Sequence, residues 1–284
     1  FKAALQGLSP AARTEVSTAQ DAWVKFANRA CTGDARPATK PYAEDALACL
    51  GGVFSDRLEQ LRSSRTIGGL RFYYIDRYAA LKDTESGDEF AKVATKSVST
   101  PRIDGNTDEA QAFNRFIETE TRDEVDPAMA DDPAADTSGE DDANAITVTY
   151  VNPARITMTV NTSMYGHGAA HGNYAVTYIH YLRGEGRRLE ASDIFEAEGW
   201  EAQLQERALA AVKAQEGENL MLDDPGSIND LVTDPARWDF SREGLVLQFE
   251  PYEIAPYAAG APTVTIPWSE LEDLLAPGYR DAIG

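Results

Sequence analysis

A change in hydrophobic period at Gly68-Gly69 limits the possible folds more than any other feature of this chain. Before it, apolar residues recur every three or four positions. Val16, Ala19, Trp23, Phe26 and Ala30 form one stripe, and Leu47, Leu50, Phe54, Leu58 and Leu61 form a second. Such spacing predicts two amphipathic helices, each with its stripe turned inward. Ser9-Pro10 starts the first with an N-cap and a proline at the first helical position, and the second runs from about Tyr42 to Arg62. After the glycine pair, aromatic and β-branched residues take over in the short alternating runs that strands require. Helices followed by strands predict an α+β fold. The expected division is a small helical domain over residues 1–66 and, over 67–284, an antiparallel sheet with packed helices.

Strands are expected over Leu70–Leu81, Glu89–Thr100, Ala145–Val151, Ala154–Met164 and Asn173–Leu182, with short ones at Trp238–Phe240, Leu245–Phe249 and Val264–Ile266. Helices are expected over Thr107–Glu124, Trp200–Gln215 and the closing Pro267–Leu275. Between them, 126–144 holds seven acids and two prolines, a composition that cannot bury enough apolar surface to order itself and reads as a mobile surface loop.

The two cysteines, Cys31 and Cys49, fit no zinc or redox spacing. Cys31 closes the first predicted helix and Cys49 lies inside the second. A disulfide here would staple a helical hairpin and imply an oxidising compartment; two buried thiols would also satisfy the spacing. The chain opens on Phe1 without a basic-then-apolar leader, as a processed or trimmed chain would. No run approaches the 18 apolar residues of a membrane-spanning helix.

The net charge of −21 is unevenly spread. Residues 1–92 carry 13 Lys/Arg against 12 Asp/Glu, and residues 93–284 carry 13 against 35. That acidity disfavours nucleic acid and anionic lipid and favours a basic protein partner.

The chain has no G-x-S-x-G elbow, phosphate loop, G-x-G-x-x-G or H-E-x-x-H, and nothing calls for a cofactor. The candidate contact residues lie in two Gly/Ala-rich turns. One, Tyr165–Asn173, offers Tyr165, His167, His171 and Asn173. The other, Glu253–Gly260 with its flank, offers Tyr252, Pro256 and Tyr257. Exposed tyrosines on a rigid loop suit anchoring to a protein or sugar, though they would also suit covering a sheet edge. His167 and His171 are four apart, a spacing that holds zinc on a helix but loses its meaning in a glycine-flanked turn. His180, in step with Tyr174, Val176 and Tyr178, reads as a satisfied sheet histidine.

Two resemblances accompany these readings. Leu8-Ser9, Gln20-Asp-Ala-Trp23, Cys31, Cys49-Leu50 and Arg57 resemble the LprI-like family of bacterial periplasmic proteins linked to lysozyme inhibition. Ser99–Gly105 with Asn114, Gly168–Asn173, Leu189–Phe195, Phe249–Gly260 and Ile266-Pro-Trp268 resemble the extracellular domain family of RsiV and PdaC. The first implies a lysozyme inhibitor, and the second a lysozyme-binding domain. Together they imply a non-catalytic secreted or periplasmic protein of the cell envelope that binds lysozyme-like muramidases. The alternatives are a peptidoglycan-binding module or a cell-wall enzyme centred on the His167/His171 loop.

Overall fold

The computed structural model describes residues 1–33, 42–62, 64–84, 92–121, 139–222 and 224–284. The fold is α+β. The chain separates into two compact units, the first comprising Phe1–Thr147 with Ser163–Gly172 and the second Val148–Thr162 with Asn173–Gly284. A larger sheet of seven strands follows chain order, β1 (Arg65–Ile67), β2 (Leu70–Lys82), β3 (Val93–Ile103), β4 (Glu140–Val151), β5 (Arg155–Gly166), β6 (Asn173–Leu182) and β7 (Arg187–Arg188). It is mostly antiparallel, with one departure from expectation: β3 and β4 pair in parallel, Lys96 opposite Asp142 through Ser99 opposite Ala145. A parallel pair needs a long crossover connection, and the segment carrying helix α3 (Asp108–Glu120) provides it.

In the first unit, helix α1 (Pro10–Thr32) starts where Ser9 Oγ accepts from Ala12 N–H and ends at Gly33 in the left-handed conformation. Its buried face, Ala12, Val16, Trp23 and Ala27, packs on β2, with Leu8, Ala12 and Val16 against Tyr73, and Trp23 and Ala27 against Tyr78. Residues of α1 therefore share their core with β2. The Cys31–Cys49 disulfide joins α1 to helix α2 (Glu44–Arg62), with the Cα atoms 5.6 Å apart.

The stripe predicted to bury α2 is only partly covered: Leu50 packs against the cluster of Trp23, Ala27 and Tyr78, and the Phe54 ring meets Trp23 edge-on at 4.8 Å. Leu47, Phe54 and Leu58 are 54%, 51% and 49% exposed, and Arg57 is the buried residue of this helix. Two tertiary ties set its rotation. One is the disulfide at Cys49. The other is Arg57, which pairs with the buried Asp76, donates from Nε to Gln20 Oε1 at 3.0 Å and lies over the Trp23 ring at 5.8 Å. Gln20, Trp23 and Arg57 thus meet in the first unit, and Cys31 and Cys49 tie its two helices separately.

The acidic stretch 126–144 enters the described residues only at its end. There Glu140–Asn144 is strand, not loop, and 126–138 lies outside them. Asp141 supports the strand by accepting from Thr95 N–H at 2.6 Å and from the Thr95 hydroxyl at 2.8 Å.

The second unit holds a three-stranded antiparallel sheet in the order β10 (Thr263–Pro267), β9 (Gly244–Gln248), β8 (Trp238–Phe240), with helix α4 (Trp200–Glu216) packed beside it. Leu204, Ala208 and Val212 of α4 join Phe195, Trp238, Leu245, Leu247, Val264 and Ile266 in one apolar cluster. A Cβ at Gly244 would lie 2.0 Å from Ile266 O, so the β9–β10 pairing requires glycine there. The expected closing helix over Pro267–Leu275 is only one turn, α6 (Trp268–Leu271), because Leu275 leaves it to form a β-bridge with Phe195. Two further short helices, α5 (Asn229–Thr233) and α7 (Tyr279–Ile283), complete the unit.

Candidate binding surface

The candidate contact residues belong to different units: Tyr165, His167 and His171 to the first, and Asn173, Tyr252, Pro256 and Tyr257 to the second. In the first, Tyr165 is 40% exposed and donates its hydroxyl to Ala169 O at 3.2 Å. His171 is exposed and bonds the neighbouring Gly172 O at 2.8 Å.

His167 differs from the exposed imidazole that was expected. Its side chain is only 2% accessible, with Asp83 Oδ2 2.5 Å from Nδ1 and Asp141 Oδ2 3.2 Å from Nε2. With a carboxylate at each nitrogen, both nitrogens donate. Burial opposes the charge, but the hydrogen bonds and charges of Asp83 and Asp141 outweigh it and raise the pKa above the ordinary histidine value. His167 is thus a tie between the ends of β2 and β4 and the turn after β5. Among the described residues, no group of three or more His, Cys, Asp or Glu side chains is placed to hold a metal ion.

The second unit carries the more distinctive geometry. Tyr252 has φ 73°, the one described non-glycine residue with positive φ, and its side chain is 51% exposed. For an L-residue this conformation costs roughly 1–2 kcal/mol, and such strain persists only where the surroundings impose it. Three side chains impose it here, those of Arg237, Glu253 and Gln248. Arg237, nearly buried, reaches both Glu250 Oε1 and Glu253 Oε1 at 2.9 Å. Glu253 Oε2 also accepts from Glu250 N–H at 2.6 Å, closing a tight turn around Tyr252. The buried Gln248 amide donates to the carbonyls of Phe249, Ala261 and Pro262 at 2.9–3.2 Å, clamping the two ends of the loop.

Ile254 and Ala255 are fully buried and anchor the loop from below, so its exposed groups stand on a rigid base. The Tyr252 ring lies 5.4 Å from that of Tyr257, and Tyr257 lies 6.3 Å from Tyr174 on β6. Gly260 returns the chain with φ 75° past Tyr174, whose hydroxyl would sit 3.1 Å from a Cβ at that position. Pro256 and Asn173 are exposed.

The residues that position this loop, Arg237, Gln248 and Tyr174, were not singled out from the sequence. Glu250 and Glu253, three apart around Tyr252, were the available signal for a cation at their centre.

His180 is as expected, a satisfied sheet histidine. It is buried, with Nε2 donating to Trp238 O at 2.7 Å and Nδ1 3.1 Å from the Thr157 hydroxyl. Burial, together with the charges of Arg155 and Arg188 and against the Trp238 bond, pushes its pKa down to about 3.

Residues 192–269 match the family described as Protein of unknown function (DUF3298). The matched stretch includes Arg237, Gln248 and the Tyr252–Tyr257 loop but not Tyr165–Asn173. A crystal structure of a DUF3298 family member from Bacteroides fragilis is 19% identical, with 77% of this chain and 98% of that one covered and a TM-score of 0.48. A DUF3298 family protein from Pseudomonas aeruginosa is 20% identical over 74% and 96% of the two chains, with a TM-score of 0.49. No curated protein matches the chain. Among the described residues, no helix is long and apolar enough to cross a membrane.

Proposed function

We propose that the chain is a non-catalytic binding protein of the bacterial cell envelope, secreted or periplasmic, and that it binds and inhibits basic lysozyme-like muramidases through the Tyr252–Tyr257 loop. The observation that carries this reading is the strained, exposed Tyr252 on a loop locked by Arg237, Glu250, Glu253 and Gln248. A rigid aromatic anchor loses little side-chain freedom on binding, the property shared by the dominant residues of protein interfaces. The acidity of residues 93–284 would steer a basic partner to it. Both family resemblances, the LprI-like one over roughly residues 5–65 and the RsiV/PdaC-like one, point to lysozyme. The catalytic alternative centred on the His167/His171 loop is less favoured, because Asp83 and Asp141 engage both nitrogens of His167.

Surface plasmon resonance against a panel of lysozymes tests the proposal on the wild-type chain and Tyr252→Gly. Glycine removes the anchor and relieves the strain, so affinity should fall roughly thirtyfold or more while the melting temperature stays level or rises. The wild-type on-rate should fall steeply with salt. If no lysozyme binds, the partner is wrong; if Tyr252→Gly binds as tightly as wild type, the surface is wrong.

A further inference from the structure

The smaller sheet ends on an open edge. Trp268 N–H donates to Glu243 O at 3.1 Å and Phe249 N–H to Pro262 O at 2.9 Å. With the register Val264 opposite Leu247 and Ile266 opposite Leu245, these bonds direct the backbone groups of Val264 and Ile266 toward β9. In a two-residue repeat, the N–H and C=O of Thr263 and Thr265, and the C=O of Pro267, point the other way. Among the described residues, no strand pairs with β10 on that side, where the sheet ends. Among the described residues, the hydrogen bond to this edge is from Gln215 Nε2 to Thr263 O at 2.8 Å. A side-chain amide there takes the place that a neighbouring strand's N–H would take.

A groove of about 830 Å³ runs along this edge. Its far wall is the flank of α4, with Ala210, Ala211 and Ala214 at the centre and Glu206 and Arg207 toward one end. Glu270 faces that end from α6, and Asp273 holds Arg207 by a two-pronged pair at 2.7–2.8 Å, leaving the rim acidic. The small alanine side chains leave room for an added backbone. Thr263, Thr265 and Pro267 are exposed, and Val264 and Ile266 are buried, so the edge keeps the regular pleat that a pairing strand needs. Native proteins protect most edges of this kind. Here Pro262 and Pro267 only limit its length.

We propose that the outer edge of β10 is a strand-addition site that takes a short extended peptide segment of a protein partner into the groove beside α4. Its backbone would pair with Thr263, Thr265 and Pro267. The alternate side chains facing α4 would be small or apolar, to fit over Ala210, Ala211 and Ala214, and a Lys or Arg would meet Glu206 and Glu270. The site is independent of the Tyr252 loop and of the lysozyme reading.

The test is a selection of random heptapeptides displayed on phage against the intact wild-type chain, with T265P as the counter-target. Proline at 265 removes an N–H that points away from β9, so the existing ladder is kept. A second variant, Ala210→Arg, fills the groove from an exposed helix position without touching the sheet. Peptides selected on wild type should bind T265P and Ala210→Arg about tenfold more weakly or worse. They should lose binding when N-methylated at alternate amides, and should slow hydrogen exchange at the Thr265 amide. An empty selection, or peptides that bind wild type and both folded variants alike, would overturn the proposal. Lysozyme affinity should be unchanged in either variant, so this outcome is separable from that of Tyr252→Gly.

Discussion

Acidification should weaken the second unit through His180, by an amount that follows from its surroundings. The ring is buried between Thr157 and Trp238, and its pKa is held down to about 3, against about 6.5 in an unfolded chain. A histidine with a depressed pKa is neutral in the fold and gains its proton on unfolding. Its contribution is therefore fully present above the unfolded value and is lost as pH falls from about 6.5 toward 3. The unfolded chain is favoured by about 1.4 kcal/mol per pH unit across that window, or about 2 kcal/mol between pH 7 and pH 5. Replacing the ring by glutamine should lower stability at pH 7, because the fit to Thr157 and Trp238 is imperfect, but should remove this slope. His167 acts in the opposite sense: its raised pKa gives stability that is fully present below the unfolded value and lost as pH rises through the folded one. Comparison of wild type with His180→Gln cancels that contribution. Urea unfolding followed by tryptophan fluorescence at pH 7, 6 and 5 is suitable, since Trp238 is buried beside the ring. If wild type and His180→Gln lose the same stability from pH 7 to pH 5, burial of a neutral His180 is not the cause.

Two further outcomes follow from the first unit. Cys31→Ser with Cys49→Ser should destabilise it by about 3 kcal/mol, the loop-closure value for a span near 18 residues; thermal melts of this variant and of wild type with reductant should agree. Leu47→Ser should change stability by no more than about 0.5 kcal/mol, as for an exposed position, whereas a core leucine would cost several times that; a large loss in chemical unfolding would show that Leu47 is packed.

The sequence alone determined most of the local structure, because period, caps and turns act over a few residues. Ser9-Pro10 and Thr107 mark helix starts whose physics is local, and the change of period near Gly68-Gly69 announced the strands, although the first of them, β1, already lies before the glycine pair, which turns the chain from β1 into β2. The pairing of Cys31 with Cys49 was legible as one of two outcomes, since only two cysteines exist. His180 was legible because alternation placed it among inward residues. Long-range geometry decided the rest. The α2 stripe satisfies every periodicity rule yet is only partly covered, with Leu50 and Phe54 against the Trp23 cluster and Leu47 and Leu58 exposed, because the disulfide and the buried Arg57–Asp76 pair set the helix rotation. Glu140–Asn144 looks like loop by composition and becomes strand because β3 and Thr95 give it partners. The Gly-rich turn around His167 suggested exposure, but Asp83, 84 positions earlier, covers the ring. Tyr252 could be read as an exposed loop tyrosine; its strain required Arg237, Glu250 and Glu253 to converge. Local propensity names the candidates, and only contacts between distant residues decide which side chains are covered, which are held in strained conformations and which are left for a partner.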